Sequence, residues 1–147
     1  MTISSRMPGH LIRRLHQVST HVFLERVREA GFDLTPVQFA ALDALRHSPG
    51  IDQAGLAQAI GKDRATVGAV ADRLEQKGLV VRAVSRHDKR ARELTITEEG
   101  IAVLTAISPV VEELQKEILS GLNAAEYQQF IALATKAVKA AISTEED

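Results

Sequence analysis

The sequence predicts a mainly α-helical fold with one small β-ribbon, and three observations carry that reading. Apolar residues recur at helical spacing through most of the 147 residues. Two short helical patterns meet at Gly61, with Gln53 to Ile60 before it and Asp63 to Lys77 after it. Directly beyond Gly78, Leu79-Val80-Val81 and Glu93-Leu94-Thr95-Ile96-Thr97 read as strands bracketing Arg82, Arg86, Lys89, Arg90 and Arg92. Helix, tight turn, helix and basic β-ribbon is the order of a winged helix-turn-helix, whose second helix lies in a DNA major groove.

Each element has a local cause. Pro8 suits the first turn of a helix that runs to Ala30 and stops at Gly31, with Leu11, Leu15, Val18 and Val22 on one stripe. Thr35 is the N-cap and Pro36 the first position of a second helix carrying Val37, Phe39, Ala40, Leu42 and Leu45, which Ser48-Pro49-Gly50 ends. Asp52 and Asp63 cap the third and fourth helices by accepting from free backbone N–H groups. Leu56 and Ile60 then face Val67, Val70 and Leu74, while Ala57 and Gly61 permit close approach and a sharp turn. Beyond the ribbon, Ile101, Leu104, Ile107, Val111, Leu114 and Ile118 form one helical stripe, which Pro109 is expected to kink. Gly121 and Asn123 break and recap the chain before a second stripe of Tyr127, Phe130, Ile131, Ala134, Val138 and Ile142. Two such helices hold more apolar surface than the small central unit covers. A twofold interface with a second copy accounts for the surplus, the alternative being an intramolecular bundle.

The opposite face of the fourth helix shows Arg64, Ala65, Thr66, Gly68, Ala69 and Arg73. Gly68 and Ala69 weaken a helix but let its backbone lie close to base edges. Arg64 and Thr66 suit guanine edges, thymine methyls or phosphates. A bare Gly/Ala face equally suits helix packing, and the flanking cations, Lys62 among them, favour the groove. In the hairpin, Val81, Val84, Leu94 and Ile96 supply strand character, and Ser85 to Ala91 is the charged tip. There Asp88 lies among Arg86, His87, Lys89 and Arg90, and is expected to orient an arginine by a bidentate pair. Arg90 is the candidate for insertion into a narrow minor groove.

Composition bounds the rest. The length suits one domain, 1–147, in which 34–100 form the reading lobe and 1–31 and 101–147 the dimerisation helices. The chain has no cysteine, which excludes disulfides and thiol chemistry. No apolar run approaches the roughly 20 residues of a membrane helix, and the N-terminus lacks an apolar signal core, so a soluble, cytoplasmic protein is expected. The net charge of −1 hides an asymmetry: residues 62–92 hold nine Lys/Arg against four Asp/Glu, and residues 93–147 hold three against ten. A basic centre of net +5 beside a tail of net −7 focuses field on one face, which matters more to a polyanion than the total. Catalytic signatures such as G-x-S-x-G, a phosphate loop or H-E-x-x-H do not occur.

The run from Asp88 to Gly100 closely resembles the wing signature of the MarR family of transcription regulators. Ala69 to Val80 resembles that family's recognition helix and its exit, and Leu34 to Leu42 the helix preceding the reading head. The resemblance implies an obligate homodimer with one winged helix-turn-helix per subunit, joined through the N- and C-terminal helices. It implies a regulator of genes for catabolism, efflux or stress responses, in many members a repressor released by a small aromatic or phenolic acid. Arg64, Thr66, Gly68, Ala69 and Arg73 match the recognition-helix face, and Asp88 and Arg90 the wing pair that orients and inserts an arginine.

For such an effector, His10, Arg13, Arg14, Gln17 and His21 project on or near one face of the first helix. A pocket lined by Leu15, Phe39 and Leu42 with these cations at its mouth suits a planar aromatic carboxylate, the alternative being ordinary surface charge. No cofactor is expected. The five histidines, including His16, His47 and His87, are spaced by 6, 5, 26 and 40 residues, without an i, i+4 pair, which argues against a metal site. The rival functions are an effector-independent DNA-binding regulator, or a winged-helix protein–protein module that would not need the basic segment.

Overall fold

The computed structural model describes residues 1–146. After a single 3-10 turn at Ser4–Arg6 come α1 (Pro8–Glu29), α2 (Pro36–His47), α3 (Gln53–Ile60) and α4 (Arg64–Gln76). The hairpin β1 (Val80–Val84) and β2 (Arg92–Ile96) follows, then α5 (Glu98–Ile118) and α6 (Ala124–Glu146). Among the described residues, no helix is long and apolar enough to cross a membrane.

The helix starts are where capping chemistry places them. Thr35 and Gln38 form a reciprocal capping box: the Gln38 N–H donates to Thr35 Oγ1 (3.1 Å) and the Thr35 N–H to Gln38 Oε1 (3.2 Å). Asp52 Oδ1 accepts from the Gly55 N–H at 2.7 Å and caps α3. Asn123 and Glu126 repeat the reciprocal arrangement at α6, with both bonds at 2.9 Å. Gly61 ends α3 in the left-handed region (φ 70°), the conformation that makes the turn into α4 so short.

One core joins these elements. Phe23 and Val27 of α1, Leu42 and Leu45 of α2, Leu56 of α3, Val67 and Leu74 of α4, Leu94 of β2, and Leu104 and Ile107 of α5 are buried together. Much of the α5 stripe is thus covered within the chain, which leaves less of the expected apolar surplus on that helix. Leu104, Ile107, Val111 and Leu114 pack within the chain, and α1 and α5 are the most extensively packed pair of helices. On α6 the expectation stands differently, since Ile131, Leu133, Val138 and Ile142 are exposed and none of its described side chains is fully buried. At the other end of the chain, Met7, Leu11, Ile12 and Val18 are also exposed. α5 runs through Pro109 as one helix, and the Ser108 hydroxyl donates to the Leu104 carbonyl (2.6 Å) beside the residue that lacks an N–H.

The ribbon has support that the sequence did not show. β1 and β2 pair antiparallel from Val80 opposite Ile96 to Val84 opposite Arg92. A third segment joins them, because the Gly50 N–H donates to the Leu94 carbonyl (3.2 Å) and the Leu94 N–H to the Ile51 carbonyl (2.8 Å). At the base, the Thr97 N–H donates to the Leu79 carbonyl (3.0 Å) and the Thr97 hydroxyl to the Gly78 carbonyl (2.8 Å). Thr97 Oγ1 in turn accepts from the Gly100 N–H (3.0 Å) and caps α5. Gly100 is buried there, and a Cβ on it would lie 2.3 Å from the Leu79 carbonyl oxygen and 2.7 Å from Ile96 Cγ1.

Because the nearest obstacle is backbone, Gly100→Ala is expected to destabilise the fold by about 1–3 kcal/mol through overpacking. A urea midpoint shifted by less than the measurement error would show that α5 slides away from the ribbon at no cost.

Candidate nucleic-acid interface

Asp63 sets the start of α4 twice over. Its Oδ1 accepts from the Thr66 N–H (2.7 Å) and its Oδ2 from the Thr66 hydroxyl (3.0 Å). The backbone bond to Thr66, followed by the hydroxyl bond, holds the Asp63 carboxyl below its ordinary range. Arg64, Ala65, Ala69, Asp72 and Arg73 are exposed along α4, and Val67, Ala71 and Leu74 are buried on its other side. Thr66 is half-buried with its hydroxyl proton committed to Asp63, so its methyl and the acceptor lone pairs of its oxygen are what it has left to offer. Gly68 is less exposed than Ala69 on this face. It is half-buried beside α3, where a Cβ would stand 3.8 Å from Gln53 Nε2.

The tip of the hairpin is a closed loop. The Ser85 N–H donates to the Ala91 carbonyl and the Ala91 N–H to the Asp88 carbonyl, both at 3.0 Å. Ser85 is buried, and its Oγ accepts from the His87 N–H (3.2 Å) and the Asp88 N–H (3.3 Å). Asp88 does not form the expected bidentate pair. Its Oδ1 accepts from the backbone N–H of Arg90 (3.0 Å), because a two-residue step lets a short acid close on the main chain before it can reach a guanidinium. Arg86, Lys89 and Arg90 are exposed on this loop, and Lys62 is exposed in the turn before α4.

Between α3, the start of α4 and the hairpin lies a cleft of about 390 Å³. It brings Arg64 together with Asp88, Arg90 and Arg92, with Asp52, Gln53 and Ala54 along its floor. Lys62, Ala69, Arg73, Arg86 and Lys89 stand outside this lining, on exposed surface of α4, its leading turn and the tip. Arg92 and Gln53 join this site only in the folded chain. Strand alternation held the signal for Arg92, which shares its face of β2 with Leu94 and Ile96 and so points back toward the helices. Two cations of the basic segment have other duties. Lys77 Nζ donates to the Asp33 carbonyl and to Gln38 Oε1 (3.3 Å), and Arg82 pairs with Asp72 and Glu75.

The pocket expected near α1 is not assembled within the chain. The Phe39 ring is half-buried against Phe23 (centroids 6.1 Å apart, tilted 58°), and Leu42 is fully buried in the core. Arg13 lies ten residues before Phe23 on α1, about 15 Å of helix rise away. His10 Nδ1 instead lies 3.2 Å from Arg13 Nη2, and Arg14 and Gln17 are exposed. Leu15 lines a different cavity of about 340 Å³ with Ile12, His16, Tyr127 and Phe130. A larger groove of about 690 Å³ runs beside Pro109, Val110 and Leu114. Its cation, Arg26, is engaged by Glu117 (2.5 and 2.8 Å) and Glu29 (3.0 Å), and the Arg26 bond holds the Glu117 carboxyl below its usual range. His21 Nε2 lies 3.1 Å from Glu25 Oε2, and no cluster of three metal-ligating side chains occurs among the described residues.

This fold has counterparts among known proteins. A family model described as MarR family matches residues 32–91. The transcriptional regulator HosA of Escherichia coli O157:H7 is 34% identical over 127 residues, covering 86% of this chain and 91% of that protein. The PcaV transcriptional regulator from Streptomyces coelicolor, solved in complex with its natural ligand, superposes with a TM-score of 0.85 at 30% identity over 96% of this chain and 98% of that one. BpsR from Bordetella bronchiseptica, solved to explain regulation of its DNA binding by 6-hydroxynicotinic acid, gives 0.84 at 29% identity over 94% and 96%. The chain belongs to the MarR family, and it is a DNA-binding transcription regulator rather than an enzyme.

The lowered Asp63 carboxyl sets a pH dependence with a definite sign. A depressed folded-state value contributes stability above the ordinary carboxylate range, about pH 4, and that contribution is lost as pH falls through the depressed value. Amide protection in the first turn of α4 is therefore expected to fall on acidification below about pH 4 in the wild type, and to be lower but flat across that window in Asp63→Ala. Identical acid profiles for the two proteins would show that the cap does not hold this turn.

Proposed function

We propose that the protein is a homodimeric repressor that binds a pseudo-palindromic operator through α4 and the hairpin, and leaves DNA when a small aromatic acid binds. The observation that carries the DNA contact is the convergence of Arg64 and Arg90 on one cleft beside the exposed side of α4. In this reading Arg64, Ala65, Thr66, Gly68, Ala69 and Arg73 face the major groove. Lys62, Arg86 and Lys89 contact phosphates, and Asp88 presets the backbone that carries Arg90 into the minor groove. The uncovered apolar residues of α6 and of the start of α1 support a second copy as partner, and a twofold protein matches a twofold site.

The effector reading draws support from BpsR, whose DNA binding is regulated by a hydroxylated pyridine carboxylate. His10, Arg13, Arg14 and Gln17 lie on the terminal stretch of α1 that a second copy would meet, so the acid would be held across the subunit junction and not over Phe39. To act as a switch it must bind the DNA-incompetent arrangement better, by roughly 1–3 kcal/mol for a typical coupling.

Footprinting is expected to show two half-sites about 10 base pairs apart, centre to centre, with affinity that falls steeply with salt. A lone half-site or indifference to salt would sink the proposal. Arg90→Ala should weaken binding to every sequence and reduce the salt slope by roughly one, whereas Arg64→Ala should relax preference at particular base pairs by about 1–3 kcal/mol. Equal, sequence-independent losses would make Arg64 a phosphate clamp. For the effector, hydroxybenzoates and hydroxylated pyridine carboxylates titrated calorimetrically should bind the wild type and fail to bind an Arg13→Ala/Arg14→Ala double variant. Unchanged binding and DNA release in that variant would move the site elsewhere and leave the regulator reading intact.

A further inference from the structure

A ribbon of two five-residue strands is marginal by itself, yet the cleft needs Arg90 on the ribbon to keep station with Arg64 on α4. One side chain spans that gap. Arg82 lies at the middle of β1, opposite Leu94 and on the face it shares with Val80, toward the helices. Its Nη2 donates to Asp72 Oδ1 and to Glu75 Oε1 (3.2 Å) on α4, and its Nη1 donates to Gln53 Oε1 (3.1 Å) on α3. The second oxygen of Glu75 accepts the backbone N–H of Arg82 itself (3.3 Å). The Arg82 side chain is only 23% exposed, so these bonds lie where water competes poorly.

We propose that Arg82 is the positioning residue that locks the wing to α4 and to the first turn of α3, so that the cleft presents its arginines as one rigid unit. This rests on the DNA-binding reading above and adds a residue that touches no DNA. Three features argue for it. The planar guanidinium reaches acceptors on two helices through two separate nitrogens in a fixed fork, a spread that a lysine's single ammonium nitrogen does not reproduce. Gln53, held through its amide oxygen by Arg82, stands beside Gly68 and lines the cleft, so releasing Arg82 also releases part of the cleft wall. Asp72 and Glu75 sit on the same helix as Arg64 and Arg73, and without Arg82 both carboxylates would be uncompensated on a helix that approaches phosphates.

Charge and positioning are separable. The experiment compares wild type, Arg82→Met, Arg82→Lys and the triple variant Arg82→Met/Asp72→Asn/Glu75→Gln, which has no uncompensated acid. Each is titrated by fluorescence anisotropy with a duplex selected from a random pool by the wild type, and with its scrambled counterpart, over a salt series. Amide exchange of residues 80–96 is followed without DNA. Positioning predicts that the preference for the selected duplex falls about tenfold or more in all three variants, while the triple variant regains affinity for the scrambled duplex. The wing amides should exchange faster in all three. Wild-type preference in the triple variant would reduce Arg82 to a neutralising charge, and unchanged wing exchange would overturn the lock itself. If Arg82→Met does not fold, the lysine and triple variants decide the matter alone. A wild type without any duplex preference would end the DNA-binding reading, and the exchange data would still judge the lock.

Discussion

At Gly100 the carbonyl of Leu79 occupies the space that any side chain would fill, and much of the molecule is arranged around that approach. Thr97 ties the same spot together, bonding the Gly78 and Leu79 carbonyls on one side and capping α5 on the other. The ribbon is thereby fixed to the N-terminal end of the helix whose buried stripe packs on α1. A displacement of α1 relative to α5 has a short mechanical route to the base of the ribbon. The route consists of backbone contacts and buried apolar side chains, both of which transmit strain because close-packed interiors compress little.

Charge in the basic segment is sorted by position along the strands and helices. Of the cations counted between residues 62 and 92, Lys77 and Arg82 face inward and tie elements together, while Lys62, Arg64, Arg73, Arg86, Lys89, Arg90 and Arg92 are exposed. Net charge therefore describes the field that a polyanion meets from a distance, and hydrogen-bond partners decide which cations remain available at contact. Asp63 and Asp88 show the same economy among the acids, each accepting a nearby backbone N–H, that of Thr66 and that of Arg90.

Helix starts and stops were legible in the sequence because their causes are local: Thr35-Pro36, Asp52, Asp63 and Asn123 each act within one turn. The ribbon and its charged tip were legible for the same reason. What local pattern does not carry is the partner of a side chain. Asp88 looked like an arginine clamp because cations surround it in sequence, but the nearest donor in space was a main-chain amide. The effector pocket failed as a single-chain assembly because helical spacing places residues on a face without saying which neighbour that face meets, and Phe39 meets α1 well beyond Arg13. The α5 stripe is apolar by its spacing alone, and only the packing of α1 shows that it is already covered.

The closed tip from Ser85 to Ala91 has a consequence for the thermodynamics of recognition. Its backbone is held by Ser85 Oγ, by Asp88 and by two main-chain bonds, all internal to the loop. The conformational entropy of that backbone is surrendered when the chain folds and is not demanded again when a duplex arrives. In the proposed DNA complex, what remains to be ordered is the side chains of Arg86, Lys89 and Arg90, at about 0.5–1.5 kcal/mol each. A tip preorganised in this way would meet a duplex with a small entropic penalty, borne by its long cationic side chains.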